Sequence, residues 1–305
     1  MIRIESAGHK HENELVSLYQ RVHPRAGWNE AHFRWRYLDN PAGRAKIFLV
    51  CVGRIAAYTA VLPQVTSLGG ERVRSWLMVD AMTEPEMRGR GLFNTLAERL
   101  VAEASAANML CVGFPNALAE RTWFRVGFRP VYRVPEWRMP VRGHSGAAGD
   151  AREFVAISSF TAVERLWRSS GLTGTDRTTA YLDWRYRRPG QTYHCLMDRD
   201  KTCFIALKLY KSGDGLITNV CDVIGDGTEA AIGRGLEQAE RFARVAGATL
   251  ITTWLPYTHC YASVYRCFGL EPAPSERWVI AHVPTAWNDR TFCEWHLTQS
   301  DSDVF

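Results

Sequence analysis

Apolar and polar positions along this chain repeat with two periods, and the switches between them mark its elements. The clearest signal lies between Val79 and Ala107. Val79 to Thr83 is a short apolar run suited to a buried strand, and Pro85 ends it, because proline cannot donate to a sheet ladder. From Leu92 onward apolar residues recur at 92, 93, 96, 97, 100, 101 and 104, which is one face of a helix. Between strand and helix stands the turn Arg88-Gly89-Arg90-Gly91.

The same reading extends in both directions. Ile2 to Glu5 suits a strand, and His11 to His23 carries Leu15, Leu18, Tyr19 and Val22 at helical spacing. His32 to Leu38 is a second helical piece that stops near Asn40-Pro41. Lys46 to Val52 and Arg54 to Leu62 read as antiparallel strands joined at Gly53, and Arg72 to Thr83 as the long strand that leads into the turn. Downstream, Met109 to Phe114 is an apolar strand broken by Pro115-Asn116. Ala117 to Arg125 comes next as a short helix, and Gly127-Phe128 restarts a strand. The predicted class is α/β with a mixed sheet.

After residue 140 the composition changes. Residues 141–153 (VRGHSGAAGDARE) are small, polar and glycine-rich, as a linker is. The pattern then returns. Trp35-Arg36-Tyr37 with Asn40-Pro41 is echoed by Trp184-Arg185-Tyr186 with Arg188-Pro189, and the strands KIFLVCV and AAYTAVL by TYHCLMD and CFIALKLY. Ile217 to Val223 stands where the long strand stood, Thr228 to Ala246 forms an amphipathic helix, and Ala248 to Leu255 is the next strand. Pro256-Tyr257 and Gly269-Leu270 match Pro115-Asn116 and Gly127-Phe128 at nearly constant spacing. Internal repetition of this length predicts two copies of one fold, a domain over 1–140 and another over 154–305.

Composition narrows the function. A length of 305 residues with 46% hydrophobic content allows two cores. The net charge of +5 suits a phosphorylated cofactor, and no dense Lys/Arg run marks a nucleic-acid binder. The eight cysteines, at 51, 111, 195, 203, 221, 260, 267 and 293, show no metal spacing, so no metal is expected. They read as reduced residues of a cytoplasmic protein. No signal-peptide pattern opens the chain, and no apolar run is long enough for a membrane span.

A glycine-rich turn opening a helix presents unpaired N–H groups with the positive end of the helix dipole behind them, which is a phosphate cradle. Arg88 and Arg90 add positive charge. The spacing is neither a P-loop nor G-x-G-x-x-G. The string Pro85-Glu86-Met87-Arg88-Gly89-Arg90-Gly91-Leu92-Phe93 resembles instead the acyl-CoA loop of the GNAT superfamily of N-acyltransferases. The order strand, Asn116, short helix, Gly127-Phe128 is similar to the family's order of elements after that loop. Phe93 departs from the pattern, which has Gly or Ala there.

The resemblance implies two tandem GNAT-like domains, the second degenerate. It implies acetyl-CoA or another acyl-CoA as cofactor, held by Ala81, Met82 and Thr83 of the strand, by Arg88, Gly89, Arg90, Gly91, Leu92 and Phe93 of the turn, and by Asn116. The parallel strands would splay apart around the acyl arm. The acceptor would be a small-molecule amine, with nucleotide-linked amino sugars favoured. The alternative is an inactive acyl-CoA-binding sensor or scaffold. The second copy has Gly225-Asp226-Gly227-Thr228-Glu229 at its turn, where a pyrophosphate would meet negative charge, so it is expected not to bind CoA.

Amine acylation calls for a base and for N–H donors to the developing oxyanion. Asp80 is the candidate base. Strand alternation puts it on one face with Met78 and Met82, a poorly solvated setting that suits a base near neutral pH. The competing role is an ion pair with an arginine. In the family a tyrosine often protonates the leaving thiolate; the first copy has Trp123 there and the second Tyr265, which reads as a core residue. Trp35, Arg36 and Tyr37 recur in both copies and so suggest packing. His23, His32 and His259 have no partners at ligand spacing. The tail Leu297 to Phe305 reads as exposed, with a sharper option that Asp301 or Asp303 holds the acceptor amine.

Overall fold

The computed structural model describes residues 3–6, 11–24, 27–68, 70–134, 136–141, 154–273, 275–283 and 295–302. The chain runs β1 (Arg3–Ser6), α1 (Glu12–Val22), α2 (Glu30–Phe33), β2 (Lys46–Val52), β3 (Arg54–Leu68), β4 (Glu71–Thr83), α3 (Leu92–Ala106), β5 (Leu110–Gly113), α4 (Ala117–Arg125), β6 (Arg129–Arg133) and β7 (Glu136–Pro140). It continues with β8 (Phe154–Ala156), α5 (Thr161–Ser170), β9 (Gly174–Thr175), α6 (Thr179–Tyr186), β10 (His194–Asp198), β11 (Cys203–Ser212) and β12 (Gly215–Gly225). Last come α7 (Glu229–Ala246), β13 (Leu250–Trp254), α8 (Ala262–Phe268), β14 (Glu271–Ala273) and β15 (Trp278–His282). A mixed α/β fold with two mixed sheets is what the hydrophobic pattern predicted. The linker 141–153 falls, after Val141, outside the described residues.

Two compact units emerge. The first comprises Met1–Val65, Val73–Arg133 and Glu276–Asn288; the second comprises Thr66–Arg72, Val134–Ser275 and Asp289–Phe305. Strand order is β1-β2-β3-β4-β5-β15-β6 in the first sheet and β14-β7-β13-β12-β11-β10-β8 in the second. Each order therefore contains one strand borrowed from the far half of the chain, which the sequence order did not reveal. β15 sits between β5 and β6, with Ile280 opposite Gly113 on one side and Pro130 on the other. β7 sits between β13 and β14, with Trp137 opposite both Thr253 and Pro272. Both borrowed strands bring core residues: Ile280 packs with Phe48, Leu96 and Trp123, and Trp137 with Leu207, Leu255 and Tyr265.

In the first unit, parallel pairing of β4 with β5 runs from Ser75–Leu110 to Met78–Gly113 and then stops, while β4 continues to Thr83. Beyond that point β4 runs on without this partner, because β5 ends at Gly113. A Cβ at Gly113 would displace the flexible Met78 Cε, 2.4 Å away, and crowd the Met78 Cβ at 3.2 Å. α3 buries Leu92, Leu96, Ala97, Leu100 and Ala104 against this sheet, the face predicted from its period.

Candidate active site: the turn before α3

Asp80 adopts φ of +54°, a conformation rare outside glycine. It interrupts the alternation of β4, so Asp80 does not share a methionine-lined face as expected. Its carboxylate instead accepts two hydrogen bonds from Arg36 Nη1, at 2.6 and 2.7 Å, and one from the Tyr37 phenol at 2.5 Å. Both side chains of the ion pair are nearly buried, at 3% and 4% exposure. Burial, helped by the Asp80 charge, raises Tyr37 well above the usual tyrosine range, so its hydroxyl stays protonated as a donor. Arg36 and Tyr37 lie on a π-helical turn, Arg34–Leu38, and this turn presents two consecutive side chains to one carboxylate.

Past Asp80 the chain lines a cleft of about 480 Å³. Ala81, Met82 and Thr83 form one wall. Arg88, Gly89, Gly91, Leu92 and Phe93 form another, and Asn116 closes it from the start of α4. Of the residues expected to hold cofactor, all but Arg90 line this cleft; Arg90 is exposed on the same turn. Val22 and His23 at the end of α1, with Met87 and Asn94, also line it. Sequence reasoning missed them. His23 carried no motif, and only the packing of α1 brings it here.

Gly89 and Gly91 have φ of +74° and +75°, and nothing lies within 4 Å of where a Cβ would stand. Gly91 is the N-cap of α3, and no side chain caps the helix. The opening N–H groups of a 15-residue helix are thus left to a ligand beside two arginines. These residues fit a pyrophosphate. Phe93 turns away from the turn and meets Trp123 edge-on, with ring centroids 5.3 Å apart; Trp123 in turn meets Phe128 at 5.1 Å. The departure at Phe93 and the tryptophan in place of tyrosine are therefore one aromatic cluster. Asn116 caps α4 by accepting from the Ala119 N–H at 3.0 Å. Thr122 of α4 donates to Asn94 of α3 at 3.0 Å, which fixes the two helix starts around the cleft.

A sequence profile of the GNAT acetyltransferase domain matches residues 3–128, the span that holds the turn and the cleft. That span is under half of the chain, and it is similar to GNAT acetyltransferase domains. The protein is an acyltransferase, with acetyl-CoA or another acyl-CoA as donor. Among solved structures, a GCN5-related N-acetyltransferase from Anabaena variabilis superposes with a TM-score of 0.72 at 17% identity, over 92% of this chain and 72% of that one. One from Kribbella flavida gives 0.65 at 13%, over 92% and 70%. The N-myristoyltransferase of Saccharomyces cerevisiae, solved with bound myristoyl-CoA, gives 0.63 at 10%, over 93% and 84%. At these identities the likeness is one of fold. No curated protein sequence matches the chain.

The second unit differs at the equivalent places. At the start of α7, Thr228 Oγ1 accepts from the Ala231 N–H at 3.2 Å, and Asp226 accepts from the Thr228 N–H at 3.0 Å and its hydroxyl at 2.6 Å. This helix start is already capped. Tyr186 donates to Asp222 at 3.3 Å, echoing Tyr37 and Asp80, but Arg185 turns to the carbonyls of Ser300 and Ser302. Arg177 takes its place, binding Asp222 at 2.9 Å and Asp301 at 2.8 and 2.9 Å. The tail is not exposed, contrary to its reading from sequence. Leu297 to Ser302 are buried in the second unit, and Asp301 is locked to Arg177 and to the Thr298 N–H; Asp303 lies outside the described residues. His259 is not solitary either, since its Nε2 lies 3.2 Å from His296 Nδ1, and His296 Nε2 lies 3.2 Å from Asp222. Tyr265 is a core residue, packed edge-on against Trp137. Among the described residues no group of side chains could hold a metal ion, and no helix is long and apolar enough to cross a membrane.

Proposed function

We propose that the protein moves an acyl group from an acyl-CoA, seated at the turn of the first unit, to the primary amine of a small molecule, with a nucleotide-linked amino sugar as the favoured acceptor. The observation that carries this reading is the uncapped start of α3 behind two open glycines in a cleft lined by the end of β4. Arg88, Arg90 and the N–H groups from Gly89 to Phe93 hold the pyrophosphate. Met82, Thr83 and Asn116 flank the pantetheine arm. Bound acyl-CoA supplies the activated carbonyl. Backbone N–H groups of β4 beyond its pairing with β5 are the donors at hand for the oxygen that gains charge.

Asp80 serves this site by fixing the end of β4. Three hydrogen bonds from its two donors, Arg36 and Tyr37, hold the backbone at the strained position from which Ala81, Met82 and Thr83 enter the cleft wall. The second unit is read as a degenerate copy of the first that binds no CoA. In support, its sheet has the corresponding order, its Tyr186–Asp222 pair repeats Tyr37–Asp80, and its helix start is capped by Thr228.

The test is thiol release from acetyl-CoA and longer acyl-CoAs against a panel of amines that includes nucleotide-linked amino sugars. Turnover with an amino sugar and not with simple amines is expected. CoA binding without turnover on any amine would favour the sensor reading instead.

A further inference from the structure

The second unit has a cleft of its own, of about 520 Å³, at the start of β12 and β13 and so at the opposite end of β12 from the capped turn. It is within the usual size range of small-molecule pockets. Its floor is polar and buried: Lys208, Asn219, Thr252 and Gln299 are between 1% and 8% exposed. Tyr210 and Ile217 supply apolar walls. At the rim Glu136 is paired with Arg138 at 2.6 Å, and Asp214 is exposed.

The floor is ordered but incomplete. Gln299 Nε2 donates to Thr252 Oγ1 at 3.2 Å, and that hydroxyl donates to Asn219 Oδ1 at 2.7 Å. The chain of bonds sets the orientation of both amides. It leaves Gln299 Oε1 buried with no partner among the described residues. A buried acceptor without a donor is costly, and one lining a cleft is completed by a ligand. Lys208 is the second unfinished group. Among the described residues its ammonium has no carboxylate partner and faces only the Tyr193 ring, 5.9 Å away. Burial is the main force that pushes it down to about 8; Arg188 and Arg185 press the same way, and only the Cys221 thiol counters them. A buried cation without a carboxylate partner calls for an anion.

We propose that this cleft binds a small organic acid, with its carboxylate on the Lys208 ammonium, a nearby N–H or O–H donated to Gln299 Oε1, and its carbon skeleton against Tyr210 and Ile217. With one ammonium on its buried floor, and with the rim guanidinium of Arg138 already paired to Glu136, the cleft matches a carboxylate better than a phosphate. The site lies wholly in the second unit and is independent of the acyl-transfer reading.

The experiment is isothermal titration of the full chain at pH 7 with lactate, glutamate, hippurate and, as a control lacking the charge, hippurate methyl ester. Hippurate, which has a carboxylate, an amide N–H and a ring, is expected to bind one saturable site at least about tenfold more tightly than its ester. Lys208→Met should weaken hippurate by at least about tenfold and leave CoA binding unchanged. Affinity should fall as the pH rises past about 8, where Lys208 gives up its proton. Absence of saturable binding by all three acids, equal binding of acid and ester, or an unaffected Lys208→Met variant overturns the proposal. A readout on the unaltered chain covers the case in which that variant does not fold. The sequence has only five lysines, so reductive methylation mapped by mass spectrometry reports each separately. Hippurate should slow labelling of Lys208 alone, and unchanged labelling of Lys208 would sink the idea.

Discussion

Tyr37 donates its phenolic hydrogen to Asp80 at 2.5 Å, joining a turn near the start of the chain to the last part of the strand that lines the cleft before α3. Asp80→Asn removes the charge that Arg36 is buried against. Breaking such a pair costs about 3–5 kcal/mol, so urea should unfold the variant at a clearly lower concentration. Tyr37→Phe loses one hydrogen bond to a charged group, about 1.5–3 kcal/mol. Acyl transfer should fall in both through displacement of Ala81 to Thr83. A stable Asp80→Asn protein with thiol release slowed about a hundredfold would instead make this carboxylate the base.

The turn proposed to hold CoA depends on two left-handed backbone positions. Gly91→Ala places a Cβ at φ of +75°, a strain of about 1–2 kcal/mol, without any collision. The helix start should shift, and CoA affinity should fall by about tenfold or more when measured by calorimetry. Gly89→Val, β-branched at φ of +74°, should do more harm. An equal loss for Gly27→Ala, also at positive φ but away from the cleft, would show that the effect is general strain.

Arg177 is fully buried between two carboxylates, Asp222 and Asp301. Arg177→Met should leave both without their cation and cost about 3–5 kcal/mol in chemical denaturation. The larger part of the loss should be recovered in the triple variant with Asp222→Asn and Asp301→Asn. Failure of that rescue would mean that Arg177 acts through packing against Trp167 and Tyr181 rather than through charge.

Burial, with a smaller push from His296, holds His259 well below the usual histidine value of 6.5. Folded, it stays neutral; unfolded, it takes up a proton as the pH drops through that value. Its contribution to stability is whole above pH 6.5 and drains as the pH falls below it, at up to about 1.4 kcal/mol per unit. The melting temperature should therefore decline between pH 6.5 and 5.5, and His259→Gln should flatten that slope. A slope unchanged in the variant would assign the titration to another group.

Much of this was legible in local pattern. The period of α3, the glycines of its turn and the repeat at Trp35-Arg36-Tyr37 and Trp184-Arg185-Tyr186 are written in adjacent residues. The lining of the cleft before α3 was legible because most of it is contiguous. Three features were hidden. Asp80 looked methionine-lined because alternation assumes a regular strand, and its positive φ breaks that assumption. The burial of Asp301 left no trace because Arg177, its partner, lies far away in sequence and carries no motif. The borrowed strands β7 and β15 drew no reading from the sequence, since pairing across such distances leaves no local mark.

Those borrowed strands set an order of events during translation. Among the described residues β6 pairs with β15 alone, so once Arg133 has emerged from the ribosome it must wait for residues 278–282 before it has a neighbour. The nascent N-terminal sheet thus stays open at β5 while nearly the whole second unit is made. The first unit cannot mature ahead of its companion, and a truncated messenger yields no half-length chain with a closed sheet.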